Sequence, residues 1–205
     1  ALSDLSPEVI VIATPSSSHG LILERILRAH IPKVVVCEKP LDKSLAVARH
    51  MVEMCNQNHV KLFVNYIRRS EGSVIQIKNM IDDQVIQAPI KAVAWYSKGL
   101  LNNGSHMLNL LEYWLGDVVG HTMIDSNRCW NDSDPEPDFK VNFEKGSAIF
   151  CAGWEEYFSH LSIELISPSG RLYYSKGGSD ITWQPSGATL DNRRDDFLDV
   201  GVKIN

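Results

Sequence analysis

Two residues of this sequence have side chains suited to moving a proton, Lys39 and His106. Lys39 stands between Glu38 and Pro40, directly after the apolar run 34–37. Burial at the end of such a run lowers the pKa of a lysine, and a neutral amine can take a proton from a hydroxyl group. From the three residues 38–40 alone, a surface turn with an ion pair is the simpler interpretation.

His106 follows Ser105, which we predict to be the N-cap of a helix that runs to about Leu115. The positive end of a helix disfavours imidazolium, so a neutral imidazole in its first turn can accept a proton. Asn102 lies four residues before the histidine and can orient a substrate oxygen. The alternatives are a histidine that only completes the helix end and a segment 102–104 that only forms a turn.

The first third of the sequence predicts a parallel α/β layer. Apolar strands at 9–13, 34–37 and 62–64 alternate with two helical segments. The unbroken apolar run of the first strand is typical of a strand that is covered on both faces. Ligands of such sheets bind beyond the carboxyl ends of the strands. Three polar clusters occupy those ends: Thr14-Pro15-Ser16, Glu38-Lys39-Pro40 and Asn65-Tyr66.

The two helices of this layer show helical spacing of apolar residues. We expect one serine of 16–18 to cap the first helix, whose apolar positions are Leu21, Ile22, Ile26 and Leu27. The second helix is predicted over about 43–58, and its apolar positions are Leu45, Ala48, Val52 and Cys55. No two of the four cysteines form a CxxC pair. Cys37 and Cys55 are therefore predicted to be buried, reduced thiols.

After residue 67 the pattern changes to helices followed mainly by strands. We predict helices at 73–81 and 105–115, the latter with an apolar face of Met107, Leu110, Leu111 and Trp114. Strands are expected at 90–96, 118–124, 139–143, 148–154, 161–166 and 171–174. This order predicts a mostly antiparallel sheet. The sequence thus indicates two domains, 1–67 and 68–205, with a ligand cleft between them.

Composition and charge exclude several classes of function. The net charge of −5 disfavours nonspecific binding to nucleic acid, since few phosphates would be neutralised. No apolar stretch approaches the roughly 18 residues of a membrane span, and no signal peptide is visible. The histidines show no metal-binding spacing, so we expect no metal site. We expect a cytoplasmic protein with a small-molecule substrate.

The segments 12–19, Glu38-Lys39-Pro40 and Gly104-Ser105-His106, in this order, resemble the glucose–fructose oxidoreductase/inositol dehydrogenase family. The resemblance runs over roughly residues 5–185. It implies a Rossmann domain followed by a substrate domain with an open sheet. It further implies NAD or NADP as cofactor, a sugar, inositol or sugar-nucleotide substrate, and a homodimer or homotetramer assembled through the open sheet.

The resemblance also assigns roles to residues. Thr14, Pro15, Ser16 and His19 would lie near the nicotinamide and its ribose, and Glu38, Lys39 and Pro40 would line the same region. Lys39 would remove the proton of the substrate hydroxyl, assisted by His106 and Asn102, while hydride goes to the nicotinamide.

Three features depart from the family pattern. No GxGxxG segment is present, and many relatives carry Asp where this sequence has Asn102 and Asn109. We therefore expect the sequence to be a partial chain that lacks the pyrophosphate-binding turn. The departures keep open a second hypothesis, a non-catalytic relative that senses a ligand. A cofactor that binds without ever being reduced would support that alternative.

Overall fold

The computed structural model describes residues 5–186 and 202–203. The chain divides into two compact units, Ala1–Tyr66 and Ile67–Asn205. Each unit has a hydrophobic core of its own, so each can be described by itself. None of the helices in the described part of the chain has the length and apolarity that a membrane crossing requires.

The first unit is a parallel α/β layer, as predicted. Its elements are β1 (Val9–Ile12), α1 (His19–Ala29), β2 (Val34–Glu38), α2 (Leu45–Gln57) and β3 (Lys61–Asn65). The three strands pair in parallel in the order β1-β2-β3. The core comprises Ile12, Leu23, Ile26, Val35, Cys37, Met51, Cys55 and Val60. The predicted burial of Cys37 and Cys55 is confirmed.

The prediction that β1 is covered on both faces was wrong for the first unit. Helices α1 and α2 pack on the face that carries Ile12, whereas Val9 and Val11 on the other face are 55% and 63% exposed. Two of the apolar positions predicted for α2 are also exposed, since Leu45 and Val52 point away from the core. An apolar run predicts a strand, but the layers around the strand decide which face is covered.

The second unit contains one large sheet and two packed helices. Helix α3 (Gly72–Asp82) precedes β4 (Ile90–Tyr96), and a π-helical turn, Gly99–Gly104, leads into α4 (Ser105–Leu115). The remaining strands are β5 (Val118–Trp130), β6 (Asp134–Phe143), β7 (Gly146–Ala152), β8 (Leu161–Ser167), β9 (Gly170–Ser175), β10 (Asp180–Pro185) and β11 (Val202–Lys203). Strands β5 and β6 are longer than the sequence predicted, and the prediction missed β10 and β11.

The eight strands are ordered β11-β10-β9-β8-β4-β7-β6-β5. All neighbouring pairs are antiparallel except β4 and β7, which confirms a mostly antiparallel sheet. The predicted apolar face of α4 is confirmed, because Met107, Leu110, Leu111 and Trp114 are fully buried. The indole N–H of Trp114 also donates to the carbonyl of Val74 on α3 (3.1 Å), so the two helices pack as one layer.

Two isoleucines of α3 that differ in burial give a matched test of the core. Ile77 is fully buried and Ile75 is 40% exposed on the same helix. We expect Ile77→Ala to lower the free energy of unfolding by about 2–5 kcal/mol, because it leaves a cavity. Ile75→Ala should cost about 1 kcal/mol or less. All five tryptophans lie in the second unit, so urea unfolding followed by tryptophan fluorescence reports on this core. Equal effects of the two substitutions would contradict the packing.

Candidate functional site

The carboxyl ends of the three parallel strands meet at one edge of the first unit. Ile12 is in register with Cys37, and Glu38 is in register with Asn65. The loops after β1 and β2 and the last residue of β3 therefore begin at the same level of the sheet. This confirms the predicted alignment of the three polar clusters and places them where α/β sheets bind ligands.

Glu38 is held in place by the neighbouring strand. The amide nitrogen Nδ2 of Asn65 donates to Oε1 of Glu38 at 2.6 Å. A carboxylate has about four acceptor sites, so this bond leaves Glu38 able to accept from a hydroxyl group. Lys39 and Pro40, the next two residues, are half-buried, and the peptide bond between them is cis.

His19 connects two of the loops from behind. Its ring is fully buried, with Nε2 at 2.7 Å from the carbonyl oxygen of Thr14 and Nδ1 at 3.1 Å from that of Leu41. The resemblance implied that this histidine lies near the nicotinamide, and that stays a prediction. In the structure both ring nitrogens lie at hydrogen-bond distance from backbone oxygens, so His19 supports the loops after β1 and β2.

The serines before α1 do not cap it through their side chains. Residues 16–18 form a 3₁₀ turn, and no side-chain cap is present at the start of α1. The hydroxyl of Ser18 instead donates to the carbonyl of Pro15 at 2.7 Å and lies 2.9 Å from Oγ1 of Thr14. The prediction of a serine N-cap was wrong because the Ser18 hydroxyl binds within the turn instead. Its bonds connect the end of the turn to Thr14 and Pro15.

The helix that carries His106 begins earlier than predicted. The π-helical turn Gly99–Gly104 runs directly into α4, with helical dihedral angles at both Gly104 and Ser105. The hydroxyl of Ser105 donates to the carbonyl oxygens of Leu101 (2.8 Å) and Asn102 (3.1 Å) instead of capping the helix. His106 therefore does not lie in the first helical turn, and the argument from an open helix end was wrong.

Two buried carboxylates of β6 accept the first N–H groups of this helical run. Asp134 binds the amides of Leu101 and Asn102, at 2.8 and 3.0 Å, and Glu136 binds the amide of Gly99 at 3.0 Å. The sequence analysis missed both acids. The alternation Asp134-Pro-Glu136-Pro was an available signal, because in a strand it places both acids on the same face.

The same carboxylate cluster is connected to Tyr96 and Arg128. Burial, together with the nearby Glu136, raises the pKa of the Tyr96 phenol, which stays neutral and donates to the carbonyl of Pro137 at 2.6 Å. Nε of Arg128 donates to Glu136 at 2.9 Å. Tyr96 is consequently a structural donor and not a candidate acid.

Three polar or aromatic residues of α4 lie on neighbouring positions of the helix surface. At about 100° per residue, His106, Asn109 and Tyr113 lie within about 60° of one another, beside the buried apolar face. Within the described residues, Oδ1 of Asn109 is a buried acceptor without a hydrogen-bond partner. The guanidinium of Arg69 lies 4.9 Å from the centre of the Tyr113 ring.

Residues 1–66 match the sequence profile of a family described as an oxidoreductase family with an NAD-binding Rossmann fold. Residues 1–66 are therefore similar to this oxidoreductase family. Curated proteins that are similar to this chain are named dehydrogenases. They do not favour the alternative of a non-catalytic relative.

The chain is 30% identical over 168 residues to an inositol 2-dehydrogenase of Rubrobacter xylanophilus, and the match covers 80% of this chain and 45% of the relative. It is 25% identical over 195 residues to the scyllo-inositol 2-dehydrogenase (NAD(+)) of Bacillus subtilis, covering 84% and 56%. A D-xylose 1-dehydrogenase (NADP(+)) of Haloarcula marismortui is 30% identical over 83 residues, covering 40% and 22%. The matched parts thus span about half or less of these relatives.

Solved structures show the same fold at low sequence identity. An NAD binding oxidoreductase from Klebsiella pneumoniae has a TM-score of 0.76 and 18% identity, and the match covers 91% of this chain and 58% of that one. An inositol dehydrogenase homolog from Azotobacter vinelandii, solved with NADH and myo-inositol, has a TM-score of 0.75 and 19% identity, with coverage of 89% and 54%. The fold is therefore a Rossmann-like layer followed by a mostly antiparallel sheet.

The structure brings together two separate sets of predicted residues. Thr14, Glu38 and Lys39 lie at one sheet edge of the first unit, and Asn102 and His106 lie on one helical run of the second. That Lys39 and His106 act on one substrate stays a prediction. In the part of the chain that the structure describes, no group of three or more His, Cys, Asp or Glu side chains is arranged to hold a metal ion.

Cys37 lies beside Glu38 but should be chemically inert. Burial, with a smaller effect of Glu38, raises the pKa of its thiol to about 11, so little thiolate forms at pH 8. Burial also raises the pKa of Cys55, whereas Cys129 is exposed. We expect iodoacetamide to modify Cys129 within minutes and to leave Cys37 unmodified until the protein is unfolded. Peptide mass spectrometry checks this, and equal labelling of both cysteines in the folded protein would contradict the burial.

Proposed function

We propose that this chain is part of an NAD- or NADP-dependent dehydrogenase that transfers hydride between the nicotinamide and a hydroxyl-bearing carbon of a sugar, inositol or sugar nucleotide. One observation carries the proposal. Within a Rossmann-like layer that matches an NAD-binding family, Glu38, Lys39 and Pro40 follow the middle strand at the ligand-binding edge of the sheet. This is a position from which an amine can serve a bound cofactor and substrate.

The residues at this edge fit a nicotinamide nucleotide. A ribose offers hydroxyl donors, and Glu38 has acceptor sites left beside its bond from Asn65. The backbone at Thr14 and Pro15 is fixed by His19 and Ser18, so Thr14, Pro15 and Ser16 can form one wall of the site. A bound nicotinamide supplies the hydride acceptor for the reaction.

The proposed proton transfer is carried by Lys39. Its amine takes the proton from the substrate hydroxyl as the carbon becomes a carbonyl, and it returns the proton in the reverse direction. His106 and Asn102 hold the same oxygen from the helical run of the second unit. Because Asn102 cannot take a proton, the general base of the proposal is Lys39, assisted by the imidazole of His106.

The substrate class follows from the chemistry of the α4 face. A polyol offers several O–H donors, and the carbonyl oxygen of Asn109 is a buried acceptor that such a donor would satisfy. The inositol and xylose dehydrogenases among the relatives act on hydroxyl-rich molecules of this kind by their names. These observations support a carbohydrate or polyol substrate.

We also propose that the protein is a cytoplasmic homodimer or homotetramer that assembles through the open face of the large sheet. Helices cover only one face of this sheet among the described residues. The other face exposes Trp95, Ile149 and Ile166 on the adjacent strands β4, β7 and β8, at 45%, 39% and 52% of their surface. An apolar patch of this kind is typical of a protein–protein interface.

Replacing Lys39 tests the catalytic role. In the full-length protein, Lys39→Ala should lower kcat/KM for oxidation of the polyol by about 100- to 10,000-fold, which is the usual contribution of a general base. Cofactor binding, measured by fluorescence titration, should stay within about threefold of wild type. Lys43→Ala, an exposed lysine four residues later, is the matched control and should keep full activity. Near-normal turnover of Lys39→Ala would contradict the role.

Charges on the open sheet face test the assembly. The double substitution Trp95→Glu and Ile149→Glu places carboxylates on neighbouring strands, and burying them in an interface would be costly. We expect size-exclusion chromatography with light scattering to show loss of the oligomer. Val52→Glu, a control at an exposed apolar position of α2, should leave the mass unchanged. An oligomer that persists in the double variant would contradict this interface.

A further inference from the structure

The turn between β4 and α4 carries N–H groups that the helix itself cannot satisfy. Residues Gly99–Gly104 form the start of the helical run that leads to His106. The first N–H groups of any helix have no acceptor within it, so a partner from elsewhere must bind them. The partner decides how the start of the helix is placed.

Asp134 supplies this partner with both of its carboxylate oxygens. Oδ1 accepts from the amide of Leu101 at 2.8 Å, and Oδ2 accepts from the amide of Asn102 at 3.0 Å. The side chain is only 6% exposed. Hydrogen bonds to an ionised acceptor are short and strong, and two parallel bonds fix orientation as well as position. The backbone of Asn102, a proposed substrate ligand, is therefore held directly by Asp134.

The backbone at Gly99 approaches this carboxylate so closely that no side chain fits. Gly99 has a φ of +86°, and a Cβ atom built on it would lie 2.2 Å from Cγ of Asp134. Glycine satisfies both the left-handed dihedral angle and the contact. Glycine at position 99 therefore leaves room for the carboxylate of Asp134 where the turn begins.

A second carboxylate, itself bound by an arginine, holds the start of the same turn. Glu136 is fully buried, accepts from the amide of Gly99, and accepts from Arg128 through its other oxygen at 2.9 Å. The guanidinium of Arg128 also binds both oxygens of Glu156 at 2.9 Å and lowers the pKa of that carboxyl. Strand β6 is therefore bound to the turn at three N–H groups and is itself anchored.

We infer that Asp134 is a positioning residue of the reaction, which fixes Asn102 and the helix of His106 through the amides of Leu101 and Asn102. This inference rests on the proposed function for its catalytic consequence. Asp134 lies 33 and 32 positions from those amides along the chain, so the contact is made by the folded sheet and not by the turn alone.

The substitution Asp134→Asn tests the inference in the full-length protein. The side chain keeps its shape, but one acceptor becomes an amide nitrogen, which faces an N–H donor. We expect kcat to fall by about 10- to 100-fold, since small misplacements of positioning groups have effects of this size. Cofactor affinity should stay within about twofold, because the residues proposed for it lie in the first unit.

Asp138→Asn provides a matched control on the same strand. Asp138 also binds a backbone N–H, that of Ala152 at 2.8 Å, but it does not bind the turn. Its substitution should leave kcat within about twofold of wild type. Amide hydrogen exchange is measured in parallel, and we expect faster exchange of Leu101 and Asn102 in Asp134→Asn only. If Asp134→Asn exposes those amides and yet turns over like Asp138→Asn, the inference is overturned.

Two further arms keep the test decisive. If Asp134→Asn does not fold, Asp134→Glu retains both acceptors and the charge but displaces them by one methylene. A lowered kcat with normal cofactor binding then supports the inference, and a wild-type kcat overturns it.

If the wild-type protein reduces neither NAD nor NADP with myo-inositol or D-xylose, the proposed function has failed for these substrates. The exchange of Leu101 and Asn102 then still shows whether Asp134 fixes the turn.

Discussion

Backbone N–H groups at the start of a helix need acceptors, and in this protein two buried carboxylates supply them. Asp134 and Glu136 lie on β6 and bind three amides of the turn that leads into α4. A buried carboxylate is stable when several donors surround it, and a helix end is stable when its donors are accepted. In this protein the carboxylates and the helix N–H groups satisfy each other, so the sheet fixes the helix that carries His106 and the turn that carries Asn102.

In the first unit, a histidine and an asparagine amide likewise hold neighbouring segments in place. His19 lies between the carbonyl oxygens of Thr14 and Leu41, and Asn65 donates to Glu38 across two paired strands. The loops that carry the proposed cofactor residues are therefore fixed by these neighbours. In both units the residues proposed for chemistry are placed by a second set of polar side chains behind them.

Local patterns in the sequence predicted much of this arrangement. The strand 90–96 was predicted at its observed limits, and the buried face of α4 was identified from the spacing of Met107, Leu110, Leu111 and Trp114. The alignment of Glu38 with Asn65 followed from parallel strand order alone. These features depend on periodicity and on short connections, which neighbouring residues determine.

The features that the sequence did not reveal depend on contacts between distant segments. The sequence analysis did not identify Asp134 and Glu136, because carboxylates are seldom buried and their backbone partners lie more than 30 positions away. Ser105 was predicted to be an N-cap because its local sequence permits one, but Asp134 already accepts N–H groups at the true start of the helix. The exposure of Val9 and Val11 depends on which layers cover the sheet, and no local pattern contains that information.

Hydride transfer to the cofactor is the central claim, and isotope tracing tests it most directly. The full-length protein is incubated with NAD or NADP and a polyol deuterated at its hydroxyl-bearing carbons, and the reduced cofactor is analysed by mass spectrometry. The account predicts one deuterium in each reduced nicotinamide. Reduced cofactor without deuterium, or a cofactor that binds and is never reduced by any polyol, would contradict it.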